Sequence, residues 1–371
     1  MAGQLADLQL RLSNELGNAA RRHLFPLPAF EDCGYHPVMS EKIHLLIEQC
    51  ETVCREAALR AGASEAAATA LARASVAADA EGNRAVGMAH LSLYLDALRE
   101  GRIDGKAVPE IRRPLPAVIQ VDARGGTAHL GFDLAYEKLV EAARSFGIAV
   151  FAQKNAFTCG SLGYFVQRLA DDGLVALAAT NGPRLMTVSG AREPVYCTNP
   201  LAFAAPLPGG DMVLIDQATS PTAFAKVRSA AGRGEEIPEG WAVDADGQPT
   251  TNAAEAVKGS LVAFGGSRGA NIALMVEVLA AGLTGANWSL DAPSISEGDR
   301  SPGTGLFVIA IEPSAFGQNF PERLRTHAGR LAAKGVHVPG RTKAAARLRA
   351  RQEGLSVPRH LFEKIEAWGR S

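Results

Sequence analysis

The chain has 371 residues, of which 47% are hydrophobic and 21% are charged, and its formal net charge is −1 at pH 7. This is the composition of an ordinary globular protein, and the length suits about two or three domains. The balanced charge gives no basic surface of the kind that binds nucleic acid or anionic membranes. No apolar run approaches the roughly 20 residues of a transmembrane helix, and the first residues lack the pattern of a secretory signal. We therefore expect a cytoplasmic protein that has neither nucleic acid nor membrane as a partner.

Cysteine usage agrees with a reducing compartment and predicts no metal site. The five cysteines form no CxxC pair, and they are Cys33, Cys50, Cys54, Cys159 and Cys197. Cys50 and Cys54 are four residues apart in a helical pattern, which is typical of small core residues that share one helix face. No cluster of histidines or cysteines supplies the further ligands that zinc requires.

The first part of the chain predicts a helical subdomain behind an extension. Residues 1–38 are weakly patterned and contain several helix breakers, so we interpret them as an N-terminal extension. From residue 39 onward, apolar residues recur at three- and four-residue spacing, which indicates an amphipathic helix. A second helix is predicted to begin at the N-cap Ser64, and a third is predicted to end at Gly101. These helices define a predicted subdomain over residues 39–115.

After residue 115 the pattern alternates between short β-rich runs and helices, which predicts an α/β domain over residues 116–315. Strands are expected at 117–123, 148–153 and 174–180, and helices at 132–147 and 163–173. Residues 316–371 are mostly helical in pattern, and we expect them to pack back on the N-terminal helices.

Sequence motifs alone do not identify a nucleotide cofactor, because neither GxGxxG nor GxxxxGK[ST] occurs. Gly160 and Gly163, which lie between a predicted strand and a helix, would allow backbone N–H groups to approach a phosphate. From the residues alone, a simple glycine-containing turn is the favoured interpretation. Several polar or glycine-rich loops interrupt the apolar runs, namely YCTNPLAFAAP (196–206), LIDQATS (214–220), WAVDADGQPTT (241–251), AFGGSRGAN (263–271) and EVLAAGLTGANWS (277–289).

These loops resemble the malate/L-lactate dehydrogenase-like family of NAD(P)-dependent oxidoreductases. The resemblance covers about residues 39–343 and is densest over 148–313, where VDADGQPTT nearly repeats the cyclic-imine reductase branch. It implies a non-Rossmann NAD(P)-binding α/β domain with a largely antiparallel sheet, and a helical subdomain built from both termini. It also implies NADP or NAD as the cofactor, and a homodimer whose active site lies near the interface.

The resemblance assigns roles to individual positions. The implied cofactor-binding residues are Thr158, Cys159, Gly160, Ser161, Leu162, Asp216, Gln217, Ala218, Arg268, Pro339, Gly340 and Arg341. The implied substrate-binding residues are His90, Thr198, Phe224 and Ala225. From the residues alone, Asp216 could equally be a helix N-cap, and Arg268 could be an exposed turn arginine.

The chain departs from the family where the resemblance places proton chemistry. Aligned with the family pattern, Ala85 and Val86 stand at the positions of its serine and histidine. Lys226 stands at the position of the aspartate that orients the histidine, and His90 at the position of the substrate-binding arginine. The resemblance therefore implies that the Ser-His-Asp set is replaced together.

Lys226 and His90 are the predicted catalytic residues, because Val86 can neither donate nor accept a proton. A lysine in a desolvated site beside a cationic cofactor ring would have a lowered pKa, and histidine titrates near neutral pH. A surface lysine and a histidine on a helix face are the alternative interpretations. Arg84 is a weaker candidate for restoring the lost positive charge.

We therefore predict NAD(P)H-dependent hydride transfer to C2 of a 2-oxo or 2-imino carboxylate. An imine is slightly favoured, because a protonated imine is already electrophilic and needs less help from a protein acid. The alternative is a catalytically diverged nucleotide-binding homologue that binds NAD(P)H without dehydrogenase activity.

Overall fold

A computed structural model describes residues 41–191 and 193–368 of the chain. The predicted N-terminal extension, residues 1–38, lies outside the described residues. Within the described ranges, no helix has both the length and the apolar character needed to cross a membrane.

The described chain contains strands and helices that alternate through its middle part. The strands are β1 Lys42–Leu45, β2 Glu110–Leu115, β3 Val118–Asp122, β4 Ile148–Ala156, β5 Val175–Thr180, β6 Met186–Thr187, β7 Leu201–Pro206, β8 Met212–Gln217, β9 Ala242–Val243, β10 Pro249–Thr250, β11 Ser260–Val262, β12 Thr304–Ile311 and β13 Leu355–Pro358. The α-helices are α1 Ile47–Arg60, α2 Glu65–Ala80, α3 Met88–Arg99, α4 Ala128–Phe146, α5 Gly163–Asp171, α6 Phe224–Gly232, α7 Ala253–Lys258, α8 Ser267–Glu277, α9 Phe320–Ala332, α10 Arg341–Glu353 and α11 Arg359–Trp368. A π-helical segment, Val278–Leu283, continues α8.

The largest sheet has seven strands in the order β2-β3-β4-β12-β5-β7-β8. Strands β3 and β4 are parallel, whereas every other neighbouring pair in this sheet is antiparallel. A second, mixed sheet has the order β10-β9-β11-β6. The predicted α/β class is therefore confirmed.

Helices α4 and α5 cover the large sheet with aromatic side chains. The ring of Phe132 on α4 lies 5.4 Å from that of Phe151 on β4 and 5.0 Å from that of Phe165 on α5, measured between centroids. All three side chains are fully buried, and such edge-to-face contacts add to the stabilisation from apolar burial. Helix α5 is thereby fixed against the sheet, and the loop that precedes it carries Thr158–Leu162.

The two ends of the described chain meet. Strand β1 pairs antiparallel with β13, and Leu355, Val357 and Ile365 are buried in the same apolar core as helices α1 to α3. In that core the second helix begins as predicted, because the Ser64 hydroxyl accepts a hydrogen bond from the Ala67 N–H at 3.3 Å. The predicted boundary between residues 115 and 116 divides the β2–β3 hairpin, so β2 is part of the large sheet.

Candidate functional site

Asp216, near the end of β8, joins two of the predicted cofactor loops. Its carboxylate accepts a hydrogen bond from the Gly163 N–H at 2.9 Å and one from the Ser161 hydroxyl at 3.3 Å. Gly163 is the first residue of α5, so a negative charge lies at the positive end of that helix. A Cβ at position 163 would lie 3.0 Å from the carboxylate, so a residue with a side chain would crowd Asp216, and glycine fits here.

In this arrangement the N-terminus of α5 already has a carboxylate partner. The Gly163 N–H already binds a carboxylate, and the N–H groups of Tyr164 and Phe165 bond to the carbonyls of Ser161 and Leu162. A phosphate there would meet the Asp216 charge and find these donors in use. Asp216 thus accepts a hydrogen bond at the start of α5, whereas the alternative from the sequence made it an N-cap of the helix that follows it in the chain.

Two further loops meet the same part of the large sheet. The Leu214 N–H on β8 donates to the Pro339 carbonyl at 3.3 Å, and the Phe264 N–H donates to the Thr219 carbonyl at 2.9 Å. The first bond holds the Pro339–Arg341 loop against β8, and the second ties the Arg268 loop to the residues that follow β8. Arg268 and Arg341 are both exposed. The backbone thus gathers all the loops that were assigned to the cofactor around β8.

Tyr94 connects helix α3 to the Thr158–Leu162 loop. Its hydroxyl donates to the Thr158 carbonyl at 3.2 Å and accepts from the Thr158 hydroxyl at 2.9 Å. His90 lies one turn earlier on the same face, with its ring centroid 5.6 Å from that of Tyr94. The structure therefore places His90 beside a predicted cofactor loop.

His90 is uncharged at neutral pH. Desolvation, with a smaller contribution from the charge of Arg228, lowers the pKa of His90 from 6.5 to about 4. The expectation that His90 titrates near neutral pH is therefore corrected, because burial disfavours the imidazolium form. A neutral imidazole can still form hydrogen bonds, but it provides no positive charge for a substrate carboxylate.

Helix α6 carries the other residues assigned to the substrate. Phe224 is partly buried, whereas Ala225 and Lys226 are exposed. Lys226 is therefore not in the desolvated setting that its predicted catalytic role assumed. Residues two apart on a helix lie about 200° from one another, so Phe224 and Lys226 are on different sides of α6. Arg228, which the sequence reasoning missed, lies on the side of Phe224, with its guanidinium carbon 5.7 Å from the centre of the phenyl ring.

The Thr198 loop is held by a buried polar network. The Thr198 carbonyl accepts two hydrogen bonds from Thr219, from the N–H and from the hydroxyl, each at 2.8 Å. The next residue, Asn199, donates through its side-chain amide to the Glu277 carboxylate at 2.7 Å, and that carboxylate also accepts from the N–H and hydroxyl of Ser289. Glu277 and Ser289 carry no signal in the sequence, because their partners are distant along the chain.

His129 is a second residue that the sequence reasoning missed. It is buried, and its Nε2 lies 3.0 Å from the Cys159 carbonyl oxygen, so we assign the proton to Nε2. Desolvation, the largest cause, lowers the pKa of His129 to about 4. Its Nδ1 has no hydrogen-bond partner in the described part of the chain. In the sequence, His129 precedes a helical pattern that offers no reason to single it out.

Gly160 lies among these rings and has a positive φ of 63°. A Cβ at this position would be 3.3 Å from the Tyr94 hydroxyl, 3.8 Å from His129 Nε2 and 3.9 Å from the Val86 carbonyl oxygen. The glycine therefore allows four chain segments to approach one another. Val86 approaches Gly160 with its carbonyl oxygen, and Ala85 is exposed.

Comparison with known proteins gives a consistent result. Residues 45–366 match the model of the malate/L-lactate dehydrogenase family. The chain is 37% identical over 332 residues to a Δ1-pyrroline-2-carboxylate reductase of Pseudomonas fluorescens, which covers 88% of this chain and 99% of that protein. It is 36% identical over 337 residues to a (2R)-3-sulfolactate dehydrogenase (NADP(+)) of Chromohalobacter salexigens, covering 90% of this chain and 99% of that protein. A crystal structure of Δ1-piperideine-2-carboxylate reductase from Pseudomonas syringae pv. tomato superimposes with a TM-score of 0.84 at 33% identity, covering 88% of this chain and 99% of that one.

Proposed function

Because the chain belongs to the malate/L-lactate dehydrogenase family, we propose that it is an NAD(P)H-dependent reductase of 2-oxo or 2-imino carboxylates. We further propose that a cyclic imine, such as Δ1-pyrroline-2-carboxylate or Δ1-piperideine-2-carboxylate, is the preferred substrate. Two relatives with these names support this choice. The other relative, a sulfolactate dehydrogenase, supports the wider class of small carboxylates.

The dinucleotide would lie across the loops that meet β8, on a non-Rossmann scaffold. Gly160, in one of these loops, lets the backbone lie close to Tyr94 and His129 because it has no side chain. Arg268 and Arg341, both exposed at the starts of helices, would bind phosphate groups. When bound, the reduced nicotinamide supplies the hydride. NADPH is favoured over NADH by the NADP(+) in the name of one relative.

The observation that carries the preference for an imine is that the described residues around Gly160 supply no charged acid. Val86 faces this place with its carbonyl, His90 and His129 are neutral because of burial, and Lys226 is exposed. A ketone requires a proton as its oxygen becomes an alcohol, and general acid catalysis of that step contributes about 100- to 10,000-fold. A cyclic imine that is protonated in solution brings this proton with it. The chain then has only to bind, orient and shield the substrate.

A homodimer in the cytoplasm is the assembly that we propose. Large apolar side chains on α8 and the residues that follow it are exposed in the single chain, namely Leu274, Met275, Val278, Leu283, Trp288 and Leu290. Such a group is typical of a subunit interface. Light scattering of the purified protein tests this assembly, and a monomeric mass would contradict it.

The test of function begins with equilibrium titration of the protein with NADPH and with NADH, followed by nicotinamide fluorescence. Loss of nicotinamide absorbance is then measured with the two cyclic imines, pyruvate and oxaloacetate. Turnover that is at least about tenfold faster on an imine than on a ketone supports the proposal. Binding without turnover on any of these compounds would instead support a diverged nucleotide-binding homologue, and binding of neither nucleotide would refute both.

The roles predicted for Lys226 and His90 are tested in the same assay. If Lys226 supplies the proton, Lys226→Ala lowers kcat by at least about 100-fold. An unchanged kcat in both Lys226→Ala and His90→Ala would remove the two residues from the catalytic scheme and leave the imine to provide its own proton.

A further inference from the structure

We propose that Arg228 binds the carboxylate of the substrate, taking the role that the family gives to an arginine at the position of His90. This inference rests on the proposed function, because it assumes a small carboxylate in the site between α3 and α6. It assigns a specificity-determining role to a residue that follows the aligned substrate positions.

Arg228 lies on α6 close to the predicted substrate position Phe224. Residues four apart on a helix are separated by only about 40°, so Arg228 lies on the same side of α6 as the substrate position Phe224. Its guanidinium carbon is 5.7 Å from the centre of the Phe224 ring. The side chain therefore extends towards the start of α6, where Phe224 and Ala225 are located, as long helical side chains do.

The guanidinium group of Arg228 has no acidic or hydrogen-bonding partner among the described residues. In the ranges 41–191 and 193–368, no carboxylate forms an ion pair with Arg228, and no hydrogen bond involves its guanidinium group. Arg228 is exposed, and among the described residues its guanidinium group contacts the Phe224 ring in a cation–π arrangement. By contrast, Arg168 and Arg347 are both engaged in ion pairs with aspartates. A planar cation with free donors is well suited to bind a carboxylate through two parallel hydrogen bonds.

The charge of Arg228 acts at His90 on α3. Of the cations on α6, Arg228 is the one whose charge is felt at His90, where it disfavours the imidazolium form. The charge of Arg228 thus acts at His90, whereas Lys226 is about 160° away from Arg228 around α6, on a different side of the helix. A carboxylate bound between the two helices would meet a neutral imidazole from α3 and the guanidinium group from α6.

The test uses the full chain and two small planar probes that cannot be reduced by hydride transfer at C2, pyrrole-2-carboxylate and pyrrole-2-carboxamide. Their dissociation constants are measured by calorimetry on the complex with NADPH. We expect the wild type to prefer the carboxylate. Loss of a charge-assisted pair costs about 10- to 100-fold in affinity, so Arg228→Gln should weaken carboxylate binding by that factor and leave carboxamide binding unchanged. Arg228→Lys should restore part of the preference.

Controls separate a binding role from a loss of folding. Arg112→Gln makes the same change of charge at an exposed position on the edge strand β2, and it should bind both probes like the wild type. The affinity of Arg228→Gln for NADPH should also be unchanged. Equal carboxylate binding by Arg228→Gln and the wild type would overturn the inference, as would a wild type without preference for the carboxylate. If carboxylate binding depends on Arg228 but no imine or ketone is reduced, the proposed function fails and the inference stands.

Discussion

The carboxyl group of Asp79 should make the stability of the protein depend on pH. Asp79, near the end of α2, accepts a hydrogen bond from the Met88 N–H at the start of α3. A Cβ on Gly87 would lie 2.2 Å from its carboxylate oxygen. Asp79 thus supports the turn that leads into the helix with His90 and Tyr94. Burial, the largest cause, raises the pKa of Asp79 from 3.8 to about 6, although the Met88 N–H and Arg84 oppose this shift.

The sign of the effect follows from the raised pKa. Below about pH 4 the carboxyl group is protonated in both the folded and the unfolded chain, and its contribution to stability is fully present. As the pH rises towards 6, the unfolded chain loses the proton first, so the free energy of unfolding falls. A shift of about two pKa units corresponds to about 3 kcal/mol at most, and this loss is complete above pH 6. Asp79→Asn keeps an acceptor for the Met88 N–H and carries no charge, so it should remove this dependence.

The assay compares midpoints of urea unfolding at pH 5 and pH 7.5. We expect Asp79→Asn to be more stable than the wild type at pH 7.5, by up to about 3 kcal/mol, with a smaller difference at pH 5. The control is Asp246→Asn, which changes an exposed aspartate in a turn and should leave both midpoints unaltered. If Asp79→Asn were destabilised by the same amount at both pH values, the argument from burial would be refuted.

Three further predictions concern the proposed site. Gly160→Ala introduces a side chain at a positive φ next to the Tyr94 hydroxyl, so NADPH should bind at least about tenfold more weakly in a fluorescence titration. The control Gly317→Ala, which has open space around the new side chain, should bind NADPH like the wild type. Tyr94→Phe loses the bonds to Thr158 and should lower the free energy of unfolding by about 1 kcal/mol; an unaltered urea midpoint would show that these bonds contribute nothing. Glu277→Gln weakens a buried network, and calorimetric unfolding should show a loss of about 2 kcal/mol or more, which an unchanged melting temperature would contradict.

Local features of the fold were predictable because they depend on neighbours in the sequence. The Ser64 cap of α2 and the end of α3 before Gly101 follow from backbone groups within a few residues. The α/β class follows from the alternation of strand and helix patterns. The family could also be recognised, because VDADGQPTT and the neighbouring loops are contiguous stretches of sequence.

The pairing of strands that are distant in the sequence could not be predicted in the same way. Strand β12 lies between β4 and β5 in the sheet, although it follows both by more than a hundred residues in the chain. Strand β2 was assigned to the helical subdomain, because its polar, proline-containing sequence EIRRPL lacks a strand pattern. Its position is decided by hydrogen bonding to β3.

Some properties of the candidate site likewise follow from the sequence, and others follow only from the tertiary structure. The sequence by itself determined which residue types stand at the aligned positions: Val86 where a proton donor was expected, His90, and the loops around Asp216. The tertiary structure alone decided their states. It desolvated His90 and thereby lowered its pKa, and it placed the Asp216 carboxylate at the N-terminus of α5. It left Lys226 in solvent and directed Arg228 towards Phe224. The physical reason is that pKa values, hydrogen-bond partners and exposure depend on atoms brought close by folding, whereas helix periodicity and capping depend on residues already close in the chain.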